Sequence, residues 1–181
     1  MRFDQIYVRV AFGAEALGVY AASARLAEIG NIIFQVTTLL LAPIFIRKIS
    51  QFNKINRLGA YFVGILLISF SASIGCIFLG EDIITFIYGQ GYREGYTVLS
   101  IYVLSIGFVA FGGMATRILA SMSISGPQIW AGIAGAGLNV LLSIWWSQSF
   151  GLEGVAAATV VSYAVAACLL WRPIWIKIYR S

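Results

Sequence analysis

The chain has 181 residues, 60% of them hydrophobic and only 10% charged, with a formal net charge of +5. A soluble domain of this length carries about 25% charge, so the chain lacks the polar surface that water demands, and lipid must be its solvent. Its positive balance is therefore a topology signal; without a basic patch interleaved with aromatics, it does not describe a nucleic-acid binder.

Histidine is absent, which removes Ser-His-Asp, Cys-His and His-metal chemistry. Cys76 and Cys168 lie in apolar runs, away from any cluster at ligand spacing, and read as small buried apolar residues. No cofactor and no metal is expected. The first residues, Met1 to Arg9, carry Arg2, Asp4 and Arg9 and lack the apolar core and cleavage site of a secretory signal.

In chain order, residues 1–13 come first: apolar at Ile6–Val8 and Val10–Gly13, but too short and too polar to span a bilayer alone. They read as the far end of a helix whose beginning is missing. Asp4, Gln5 and Arg9 form a polar group on this piece. An acid deep in a membrane needs a partner; Arg9 and Arg25 are the candidates. The bland alternative is an exposed, frayed terminus.

Segment 17–46 carries the most informative pattern. Arg25, Glu28, Asn31, Gln35 and Thr38 recur at intervals of three, three, four and three. On a helix they share an arc of roughly 140°. Charge in hydrocarbon costs about 2.5–3.5 kcal/mol per residue on the mildest scale, so this stripe must face other helices or a watery cavity. Arg25 and Glu28 suit either a buried ion pair that locks two helices or a cavity-facing pair. In the cavity reading Arg25 offers a planar donor fork to phosphate and Glu28 senses a proton or cation. Asn31, Gln35 and Thr38 continue the stripe, as interhelical hydrogen bonders or as cavity lining. Pro43 should kink this helix or end it by Arg47.

Four more apolar segments follow, at 56–80, 95–121, 127–148 and 154–176, each near the ~20 residues a bilayer core demands. The expected fold is an all-α polytopic membrane bundle, a single domain over 1–181, with five full transmembrane helices and a partial N-terminal one. Between the second and third spans, Glu81–Tyr88 reads as a short amphipathic helix on the membrane surface. Arg117 reads as a snorkelling cation near its helix end. The run Gly132–Asn139 reads as small residues that allow close helix packing. Gly126-Pro127 and Gly151/Gly154 mark turns.

The connections set the orientation. Arg47, Lys48, Lys54 and Arg57 fill the 47–57 loop, and Arg172, Lys177 and Arg180 the tail, seven cations against the single Arg93 at the opposite ends. Cations collect on the cytoplasmic side, which puts the C-terminus inside. Trp130, Trp145, Trp146, Trp171 and Trp175 fall near span ends and read as interfacial belts.

Five stretches resemble one known family when taken in order: RFDQI at 2–6, GVYAASARLAE at 18–28, IYGQGY at 87–92, VLSIY at 98–102 and FGLEGVAAAT at 150–159. Together they look like the second half of the O-antigen and capsule repeat-unit flippases, in the multidrug/oligosaccharidyl-lipid/polysaccharide exporter superfamily. The resemblance implies translocation of undecaprenyl-diphosphate-linked oligosaccharide across the bacterial inner membrane, by rocking of two pseudo-symmetric lobes. It implies transport without bond breaking, so not an enzyme. Arg25 and Arg9 would hold diphosphate, Asn31 and Gln35 sugar, and Asp4 and Glu28 would pair with those cations or couple an ion. Only the second lobe is covered, so the partners expected are the lipid-linked glycan, the bilayer, and a missing first lobe or a second copy. A membrane scaffold or assembly subunit, whose stripe is only helix glue, and a drug-exporting relative are the alternatives.

Overall fold

The computed structural model describes the backbone of residues 3–48 and 55–179, and the side chains of 3–40, 63–64 and 67–176. Pro43 and the cations Arg47, Lys48, Lys54, Arg57, Lys177 and Arg180 fall outside the described side chains. The described chain is all helix and turn: α1 (Phe3–Lys48), α2 (Ile55–Tyr88), a 3-10 turn (Gln90–Tyr92), α3 (Gly95–Ser121) and α4 (Gly126–Tyr179).

Two of these helices are not straight rods. At 54 residues, a straight α4 would be about 80 Å long, more than twice the ~30 Å hydrocarbon core. Gly151 breaks it at φ 56°, ψ −132°, a conformation reserved for glycine. The two sides of the break then pack against each other. Asn139 donates to Thr159 across them at 3.0 Å, and a Cβ on Gly135 would meet Ala166 at 3.2 Å. Nearer the turn, Gly154 lies so close to the Trp146 backbone that no side chain fits. Thus α4 is a hairpin with arms 126–150 and 152–179.

Gly13 does the same to α1, at φ 90°, ψ −178°. Tyr20 and Asp4, 16 residues apart, are joined by a hydrogen bond. On a straight helix they would lie about 24 Å apart, so the 3–12 arm folds back on the 14–48 arm.

α3 is the hub. Ser23 donates to Gly95 O and Gly30 abuts Ile106, so α3 runs parallel to the long arm of α1. Ser73 donates to Ser100 O, while Gly80 abuts Tyr96, so α2 runs antiparallel. Gln128 donates to Thr116 O from the first arm of α4, and Trp171 to Phe111 O from the second. Two cores result. One gathers Tyr20, Val98, Tyr102, Ile106 and Val155; the other gathers Met114, Ile118, Leu119, Trp171 and Ile174.

The outer surface is oily. On α2, Phe78 is 77% and Phe86 91% exposed, with Ile77 and Leu79 beside them. Such a face has no place in water, and the chain is membrane-embedded. By length and composition three helices among the described residues can cross a bilayer: Leu67–Tyr88, Gly95–Ser121 and Gly126–Ile176. That differs from five full spans plus a partial one. The two final segments are the two arms of α4, which count together as one span of 51 residues, while along α1 the polar residues Arg25, Glu28, Asn31 and Gln35 dilute the apolar run. α1 itself runs on through Pro43 to Lys48.

Two local expectations are also corrected. Glu81–Tyr88 is not a separate surface helix but the last two turns of α2, with Ile84 fully buried and Glu81 paired to Arg93 at 2.7 Å. Trp171 is not interfacial: it is buried, stacked on Phe111 with ring centroids 4.7 Å apart. Trp130 and Trp145 remain exposed, as a belt requires.

Candidate functional site: a buried carboxylate beside an open polar face

The polar residues form two systems. The first is built around Asp4, which is only 8% exposed. The fold-back at Gly13 sets its arm against Tyr20, and α3 brings Tyr102 to the same point. Asp4 Oδ2 accepts from Tyr20 Oη at 3.0 Å and from Tyr102 Oη at 2.5 Å, and the two hydroxyls lie 2.9 Å apart. Their rings meet edge to face. Tyr102 also reaches Thr159, which accepts from Asn139. Two neutral donors from two helical segments thus converge on one carboxylate, with Thr159 and Asn139 of the α4 arms linked behind Tyr102. The arginine partner expected for Asp4, Arg9 or Arg25, is replaced by this pair of tyrosines. Arg9 is instead exposed. The frayed-terminus alternative fails, because Asp4 is anchored.

A groove of about 940 Å³ opens beside Asp4. Asp4, Gln5 and Arg9 line it from the short arm of α1, and Gly132, Gly135, Asn139, Thr159 and Tyr163 from the two arms of α4. Within the Gly132–Asn139 run the roles divide. Gly135 permits close approach of the arms, as expected, whereas a Cβ added at Gly132 or Gly137 would meet nothing within 4 Å, and both open onto the groove.

The second system is the stripe on α1. Its members do not share one environment. Arg25, Glu28 and Gln35 are exposed, Asn31 is half-buried, and Thr38 is 1% exposed and donates back to Phe34 O at 2.8 Å. None of the five lines the groove described above. Glu28 nevertheless lies near enough to Tyr163 for its charge to act there, as does that of Asp4. Where α1 meets α3, Arg117 donates to Gln35 O at 3.5 Å, so it reaches across to a neighbouring helix instead of simply snorkelling. Asn31 Oδ1 and Arg117 Nε are buried without a hydrogen-bond partner among the described residues.

The structure therefore joins Asp4 and Arg9 on one side and leaves Arg25, Glu28 and Gln35 on another. Tyr20, Tyr102, Asn139 and Thr159 complete the buried network, and no sequence pattern assigned them to it. A signal existed for one pair: a hairpin about Gly151 puts residues 139 and 159 at similar heights. Among the described residues, no group of three or more acidic or cysteine side chains could hold a metal ion. No family model, no curated protein and no solved structure matches the chain.

Proposed function

We propose that this chain is one lobe of a flippase that moves undecaprenyl-diphosphate-linked oligosaccharide repeat units across the bacterial inner membrane. One observation carries the reading: Arg25, Glu28 and Gln35 stand exposed on a helix of a membrane-embedded bundle. Lipid would expel them, so this face borders water or a second lobe. A cavity between two lobes supplies both. The resemblance of the motifs at 2–6, 18–28, 87–92, 98–102 and 150–159 to the repeat-unit flippases names the cargo.

In this mechanism Arg25 grips diphosphate through its planar fork, with Arg9 as a second cation. Asn31 and Gln35 hydrogen-bond sugar. Glu28 balances Arg25 when the cavity is empty, and Asp4 responds to an ion or proton from within the bundle. The fold-backs at Gly13 and Gly151 favour five crossings preceded by a partial one. The cation-rich loop and tail then face the cytoplasm. A first lobe or a second copy closes the cavity.

The test is export. In an assembly that restores surface glycan to a flippase-deficient strain, Arg25→Ala abolishes export and leaves membrane insertion intact. Unchanged export removes Arg25 from the mechanism. The scaffold alternative is separated by labelling. With Cys76 and Cys168 replaced by alanine, a water-soluble maleimide reaches Gln35→Cys in native membranes if the face is wet. A dry helix-to-helix joint leaves it unlabelled. Export of cationic dyes in place of glycan would point to a drug-exporting relative.

A further inference from the structure

The long arm of α1 has two faces, and the bundle covers one of them. On the inner face Ser23, Ala27 and Thr38 are buried and Gly30 abuts Ile106 of α3. On another face Arg25, Glu28, Ile32, Gln35 and Leu39 are all exposed. Their steps are three, four, three and four, the 3.5-residue period that keeps one seam of a helix against another helix. Ile29 and Val36 flank the seam, 57% and 50% exposed. Lipid would exclude the polar members of this line, and water would not favour the apolar ones. A second helix satisfies both, because apolar side chains pack across such a joint while a few polar ones bond over it.

The charges on the seam say which helix. Arg25 and Glu28 carry opposite charge one turn apart, about 4.5 Å along the axis. Such a pair is its own complement: about a two-fold axis, residue i of one copy meets residue j of the other, and j meets i. We propose that the exposed face of α1 is the seat of a second copy of this chain, packed parallel and in register, with Arg25 of each copy paired to the partner's Glu28. The parallel arrangement follows from topology, since the same loop cations orient both copies in the membrane. Glu28 has contacts within its own chain, and a carboxylate accepts from several donors at once. The site that holds Arg25 is therefore completed by a residue of the second copy. The pairing does not depend on what the bundle transports; where the bundle is a flippase, the anion of the cargo competes with the partner's Glu28 for Arg25.

The test uses the full chain, with Cys76 and Cys168 replaced by alanine, in native membranes. Under mild oxidation Ile32→Cys should give disulfide-linked pairs, and Phe86→Cys, 91% exposed on α2, should not. In that Ile32→Cys background, Arg25→Glu leaves only acids at the joint and Glu28→Arg only cations. Each change alone should cut the linked fraction by about tenfold or more. When the two variants are expressed together with tags of different size, mixed pairs should return to the parent level while like pairs stay scarce. Should either variant fail to accumulate, the parent decides: two differently tagged Ile32→Cys copies should link to each other. No linked parent pairs, equal linking at Phe86→Cys, or mixed pairs no commoner than like pairs overturns the proposal. Glycan export by this chain beside a separate first lobe, without linked pairs, also overturns it and leaves the flippase reading standing. Linked pairs that restore no export support the pairing and count against the flippase reading alone.

Discussion

Asp4 and Arg25 are both charged residues in α1, yet the bundle treats them in opposite ways. Asp4 is almost wholly buried at the wall of a groove, met by two tyrosines from two helical segments. Arg25 stands on the outer face with Glu28 three residues away. An acid can be buried in a membrane protein when neutral donors converge on it, because hydroxyls satisfy its oxygens without a second ion to desolvate. A guanidinium offers five donors in a rigid fork and needs several acceptors at once. The contrast separates a carboxylate built into the packing from a guanidinium left at the surface.

Four variants sharpen or break that contrast. The largest effect belongs to Tyr20→Phe combined with Tyr102→Phe, which strips both donors from a buried carboxylate. It should cost about 3–5 kcal/mol, read as a fall in the thermal midpoint in detergent. A midpoint that does not move would show that the carboxylate is already satisfied by water. Next comes Gly13→Ala, which touches no polar group. It forces a side chain into a backbone region open almost only to glycine, at a cost of about 1–3 kcal/mol. By loosening the fold-back it should also expose Asp4→Cys to a water-soluble thiol reagent. Asn139→Ala removes a single link at the rim of the network and should cost about 1 kcal/mol. The smallest effect on stability belongs to Arg25→Ala, which should leave melting unchanged, whereas under the proposed flippase function export is lost. A large drop in melting would mean that Arg25 belongs with the fold-holding group.

Much of the architecture was legible because glycine, proline and charge punctuate an otherwise apolar chain. Gly126-Pro127 starts α4, and Gly151 folds it. The surface reading of Glu81–Tyr88 failed because polar residues at a helix end look alike whether the helix begins there or continues. Gly80 is no breaker here; it permits close approach to Tyr96. The stripe on α1 was visible as a period, but a period does not say which members face inward. Thr38 turns to its own backbone while Gln35 stays outside. Asp4 announced a need for a partner, yet Tyr20 and Tyr102 gave no sign of answering it. Tyrosine in an apolar run reads as core or as interface, and Tyr102 lies 98 residues away.

That separation has a consequence for biosynthesis. The chain grows from its N-terminus at roughly 5–20 residues per second. Asp4 is therefore made roughly 5–20 s before Tyr102, given the 98 residues between them. Tyr20 follows Asp4 by only 16 residues and is the first hydroxyl that can shelter it. The sharp reversal at Gly13 thus works as an early chaperone written into the polypeptide, holding the acid until the later helices arrive.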